Sequence, residues 1–134
     1  MLKTLIVCLA GCGTPTSTSD ELGKISAGYL RTCHELQELR RAFCPEWPAP
    51  PLLQCVNDIE RELPARYRGE FRQGVGVLAQ RFASELPSAV AARFAAEVRA
   101  AGGEAGPACA VMAADIDHRR LQLRSQLRSF SKAK

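Results

Sequence analysis

Four prolines fall within seven residues at Pro45-Glu46-Trp47-Pro48-Ala49-Pro50-Pro51, and no regular element can cross such a run. Each proline removes a backbone donor and excludes helical geometry from the residue before it. The chain is thereby divided in two by a stiff connection, and the segment ahead of it is helical by periodicity. Leu22, Ile25, Tyr29, Cys33, Leu36, Leu39 and Phe43 recur at steps of three and four, while Lys24, Arg31, Glu35, Glu38 and Arg41 fall largely between them. Thr18-Ser19-Asp20-Glu21 has capping-box spacing, with Thr18 as the cap and Glu21 at the third helical position. An amphipathic helix of about 24 residues is expected to follow.

Beyond the prolines, Leu52, Val56, Ile59 and Leu63 start a second helical stripe. Pro64 either kinks it or opens a new helix at its first position. Tyr67 or Arg68, then Phe71, Val75, Leu78 and Phe82, carry the stripe on to Leu86. Gly74 and Gly76 weaken it by about 1 kcal/mol each relative to alanine and permit a close crossing. Glu62-Leu63-Pro64 recurs as Glu85-Leu86-Pro87, which two helices that begin with proline explain as well as a degenerate repeat does. From Pro87 a short alanine-rich helix marked by Val90, Phe94 and Val98 is expected to stop at Gly102-Gly103. The last stripe is Cys109, Met112, Ile116, Leu123, Leu127 and Phe130, interrupted by Arg120. Sparse aromatics at 6% and abundant alanine, arginine and leucine favour packed helices over a sheet sandwich. The expected fold is all-α: one small four-helix bundle with a kinked second helix, spanning residues 20–134.

The first dozen residues are of another kind. Lys3 supplies one positive charge, a short apolar run follows, and Leu9-Ala10-Gly11-Cys12 resembles the lipobox of bacterial lipoproteins at all four positions. The resemblance implies that residues 1–11 are a signal peptide and that Cys12 becomes the diacylated first residue of the mature chain. The run from Leu5 to Ala10 is too short to span a bilayer, which takes about 20 residues, so the chain would be anchored to a membrane without crossing it. Residues 12–19 then form a flexible tether of about two dozen ångströms. Gly13 is not the aspartate that marks inner-membrane retention in that family, which implies the periplasmic face of the outer membrane.

Export sorts the six cysteines by role. Cys8 leaves with the signal and Cys12 takes lipid, so Cys33, Cys44, Cys55 and Cys109 remain for two disulfides in an oxidising compartment. Cys33 and Cys44 lie eleven residues apart in one helix, about 16 Å, whereas bonded cysteines need Cα atoms within about 7 Å. They cannot pair with each other. Of the two remaining arrangements, Cys44 to Cys55 across the proline loop and Cys33 to Cys109 joining the first and last helices is the one expected. Zinc is disfavoured because Cys33 and His34 point apart on a helix.

Nothing in the chain forms a recognisable catalytic centre. Asp115 and His118 have the spacing used by helical di-iron sites, which require such a pair from two helices, and His34 is preceded three places back by Arg31. There is no phosphate loop, no HExxH and no paired-cysteine zinc signature. No enzyme activity, cofactor or metal is expected.

The formal charge of +4 hides an asymmetry: residues 12–117 hold eleven basic and fourteen acidic side chains, residues 118–134 six basic and no acidic ones. The basic tail, through Arg119, Arg120, Arg124 and Arg128, either folds against its own acidic body or reaches an anionic surface or envelope partner, and the partner is the expectation. Nucleic acid is not expected, since an exported, tethered protein rarely meets any. Trp47 is either a lid on the core or an exposed anchor for a partner. In size and build the chain is similar to the helical pilotins, lipoproteins that escort secretin subunits to the outer membrane, with Tyr29-Leu30-Arg31-Thr32-Cys33 as a local echo. The resemblance implies an anchored, non-enzymatic binding protein. A plasmid exclusion or immunity lipoprotein, an inhibitor of an envelope enzyme, a phage outer-membrane spanin and an envelope hydrolase are the alternatives.

Overall fold

The computed structural model describes residues 18–132, apart from the side chain of Ser131. The signal segment, Cys12 and the tether up to Ser17 lie outside the described residues, as do Ala133 and Lys134. Four helices account for nearly all of the rest: α1 (Thr18–Ala42), α2 (Leu52–Glu62), α3 (Ala65–Ala100) and α4 (Ala105–Lys132). They form an up-down-up-down bundle stapled by two disulfides, as the periodicity leads one to expect. α1 and α4 run antiparallel as a central pair, with Gly28 against Leu123 and Glu35 near Arg119. The shorter α2 lies on one side of that pair and α3 on the other. Chain entry at Thr18, the α2–α3 junction and the end of α4 share one pole; the proline loop and the α3–α4 turn share the other.

The core is built from the stripes read in the sequence. Leu22, Tyr29, Cys33, Leu36 and Leu39 of α1 are buried against Phe82, Leu86 and Val90 of α3 and Met112, Ile116 and Leu127 of α4. Leu30, Thr32 and Ser26, outside the expected stripe, are buried too, because α1 is covered on three sides. α1 begins at Thr18, the first of the described residues.

Two prolines behave differently from one another. At Pro64 the chain breaks, with Leu63 extended at φ −78°, ψ 139°, and a separate helix follows; the kinked second helix is thus two helices. Pro87 interrupts nothing. It lies inside α3, solvent-exposed, while Phe82, Leu86, Val90 and Phe94 are buried on the other face. Burial on both sides of Pro87 holds the helix through a residue that lacks one hydrogen bond, so no helix begins there. α3 ends in a Schellman turn: Gly103 N–H donates to Val98 O at 2.8 Å and Gly102 to Arg99 O at 3.2 Å, with both glycines at positive φ. Among the described residues no helix is long and apolar enough to cross a membrane.

The disulfides are Cys33–Cys55, with Cα atoms 6.8 Å apart, and Cys44–Cys109, at 6.0 Å. This corrects the expected pairing of Cys44 with Cys55 and Cys33 with Cys109. The proline loop does not close on itself at the end of α1; it descends along that helix, held by Gln37 Nε2 donating to Pro50 O at 2.7 Å. Cys55, in the first turn of α2, therefore arrives opposite Cys33. Cys44 is left at the pole where α4 begins, beside Cys109.

Candidate binding sites

The expected site residues divide sharply once the helices are placed. Asp58 of α2, 4% exposed, stands at the centre of a polar cluster between α1, α2 and α4. Tyr29 donates its hydroxyl proton to Asp58 Oδ2 at 3.3 Å and accepts from Arg120 Nη1 at 3.0 Å. Arg61 bonds Asp58 Oδ1 at 3.2 Å, and Arg124 Nη1 stands 3.6 Å from Oδ2. Burial pushes the Tyr29 hydroxyl above its usual pKa, partly offset by the Arg120 charge. Arg128 bonds Glu62 at 2.7 Å and holds that carboxyl below its usual range, against the opposing effect of its partial burial. Arg119 reaches Glu35 at 3.5 Å and Asp115 at 3.4 Å, and Arg120 bonds Asp117 at 2.9 Å. All four arginines of the basic tail thus neutralise carboxylates of their own bundle. The internal contact weighed for the tail is present.

The elements of the di-iron half-pattern are spent in the same way. Asp115 pairs with Arg93 at 2.9 Å, which lowers its pKa, and His118 is exposed. His34 packs on Phe82 with ring centroids 5.3 Å apart, and burial lowers its pKa. Among the described residues no group of three or more His, Cys, Asp or Glu converges as metal ligands would.

Trp47 is 37% exposed and borders a groove in the half of the bundle remote from Thr18. Its walls are Leu36, Pro48, Pro50 and Ala113, with Asp117 and Arg120 at one edge. The prolines hold this shape without helical hydrogen bonds, and Trp47 N–H is tied to Cys44 O at 3.0 Å. The groove is apolar with one charged edge.

A second site, at the opposite pole, lies between α1 and the first half of α3. Tyr67, Phe71 and Leu78 are only partly buried here. Gly23 of α1 and Gly74 of α3 line the opening, and a Cβ on either would meet nothing within 4 Å, so the helices stand apart. At its inner wall is Ser26, 2% exposed, whose hydroxyl has no hydrogen-bond partner. This half-open pocket has a volume of about 150 Å³ and continues past Ser19, Gly23, Glu70 and Leu78 into a wider cleft reaching Phe82. Periodicity did not find this site. A signal was present nonetheless: a serine sits one turn after Leu22 and one before Leu30, and two glycines interrupt the stripe of α3. No family model, curated protein or solved structure matches this chain.

Proposed function

We propose that this chain is a lipid-anchored binding protein of the bacterial envelope without catalytic function, tethered through Cys12 to the periplasmic face of the outer membrane. Its proposed task, like that of the pilotins it resembles in build, is to hold an envelope protein partner. The observation that carries the reading is the lipobox-like Leu9-Ala10-Gly11-Cys12 upstream of a bundle whose cysteines at 33, 44, 55 and 109 are all joined in disulfides. Such pairing belongs to an oxidising compartment. The Trp47 groove supports binding as the mode of action: it lies away from the tethered pole, is apolar with a charged edge, and is shaped by prolines that lose little entropy on docking.

Two measurements test this. A fatty-acid label should enter the wild type and vanish in Cys12→Ser, with the mature chain beginning at residue 12. Pull-down of the lipidated protein from its own envelope should retain a partner that Trp47→Ala loses by tenfold or more while the helical content stays unchanged. A mature chain starting elsewhere, or equal capture by Trp47→Ala, would sink the respective half of the reading.

A further inference from the structure

The cleft between α1 and α3 is left open by three small residues, and each choice works against stability. Glycine in a helix interior is worse than alanine by about 1 kcal/mol, and Gly23 and Gly74 both have room for a larger side chain. Ser26 occupies a core position of α1 yet buries a hydroxyl without a partner; among the described residues the one other buried side-chain polar atom left so is Arg124 Nε. A pocket of about 150 Å³ is the size of the apolar cavity that holds benzene in an engineered protein core. An apolar chain segment beside one hydrogen-bond acceptor would fill it and satisfy Ser26.

Chain length says what such a group is. Ser19 and Gly23 line the mouth, and α1 begins at Thr18, so six residues separate the mouth from Cys12. That is at most about 25 Å of chain, which keeps a group on Cys12 within reach of the pocket. A tethered ligand meets its site at an effective concentration in the millimolar range, so weak intrinsic affinity suffices. From the lipidation proposed above, on which this rests, the geometry points to one acyl chain of the chain's own lipidated Cys12 lodging in the α1–α3 cleft. Its ester carbonyl accepts from Ser26 Oγ, and its methylenes run past Leu78 to Phe82, with the stems of Lys24 and Arg81 covering the outer cleft. The consequence concerns the anchor. One remaining chain in the bilayer gives only marginal, reversible attachment, where two hold firmly. A bundle that withdraws one chain becomes transferable between membranes.

The test uses the full chain made in a lipoprotein-processing host fed an alkyne fatty acid, with a benzophenone amino acid in place of Tyr67 at the pocket wall. Illumination should join position 67 to the acyl chain on Cys12 of the same molecule, read by mass spectrometry of the cross-linked peptides. Gly74→Leu, which fills the pocket from α3, should cut that yield at least tenfold, and Ser26→Leu should do so from α1. Gly76→Leu, on an exposed face of the same helix, should leave it unchanged. Transfer of Gly74→Leu between vesicles of phosphatidylethanolamine and phosphatidylglycerol should be at least tenfold slower than that of wild type. An alkyne on Cys12 with no cross-link to position 67, a cross-link only to bulk phospholipid or to another protein, or a yield indifferent to Gly74→Leu would overturn the acyl site and leave lipidation standing. Absence of the alkyne from Cys12 would overturn lipidation itself.

Discussion

Ser26 and Gly74 show how one residue can work against its own helix. In protein lacking the lipid, Ser26→Ala removes a buried hydroxyl with no partner and gains helix propensity, for a stabilisation of about 1 kcal/mol. Gly74→Ala adds a Cβ that meets nothing within 4 Å and should stabilise by a similar amount. Urea unfolding midpoints measure both; destabilisation by either would mean that the cleft is closed in solution. His34 gives a second residue-level expectation. Burial lowers its folded pKa, so around the ordinary histidine value the unfolded chain binds more protons than the folded one. Stability is then fully present above about pH 7 and declines as pH falls through about 6.5. The decline between pH 7.5 and 5 should be absent in His34→Gln, whose side chain does not titrate.

At the scale of elements, α2 and α3 lie at opposite extremes. With 11 residues, α2 is too short to be helical alone, since isolated helices of fewer than about 12–15 residues are marginal in water. It is held by the Cys33–Cys55 bond and by the ion cluster around Asp58. Replacing Cys33 and Cys55 together by serine should cost about 3 kcal/mol through the loop it closes, and the loss of amide protection should be confined to α2 and the proline loop. The longer loop closed by Cys44–Cys109 should cost about 4 kcal/mol when opened, with loss spread over the whole bundle. α3 survives an internal proline because Leu86 and Val90 are buried on either side of it. Pro87→Ala restores an amide donor on an exposed face and should raise stability by up to about 3 kcal/mol. An unchanged thermal midpoint would show that the helix has already relaxed around the proline.

For the whole molecule, the decisive balance is between the arginines of α3 and α4 and the carboxylates of α1, α2 and α4. Bonding to Arg128 holds Glu62 below its usual pKa, Arg93 does the same for Asp115, and Arg72 for Glu60. Groups with depressed folded values contribute stability that is fully present above the ordinary carboxylate range, about 3.9–4.3, and is lost as pH falls through the lower folded values. Acid unfolding should therefore begin below about pH 4 as a step separate from that of His34, and Arg128→Gln should shrink it without touching the step near pH 6.5. Exposed members of the network, such as Arg72 with Glu60, contribute little, because water screens them. The Arg124–Asp58 contact is different, because Asp58 is buried: Arg124→Gln leaves part of its charge uncompensated and should cost about 3 kcal/mol.

Local rules carried much of this structure. The apolar stripes, the break at the proline loop, the stop at Gly102-Gly103 and the exclusion of a Cys33–Cys44 bond all depend on neighbours within a turn or two, and there the fold was legible in the residues themselves. What lay beyond that reach was decided by which helix face came opposite which. Two cysteine pairings satisfied the local geometry, and the path of the proline loop down α1 selected one. Pro64 and Pro87 stand in the same Glu-Leu-Pro setting, yet only burial on both sides tells the continuous helix from the broken one. The tail arginines were visible as a run of charge, but their partners sit on α1, α2 and α4 itself, up to 91 residues away in sequence. The cleft at Ser26 is a gap between two helices, and a gap belongs to neither sequence segment alone: it exists because small residues of α1 and α3 face one another across open space.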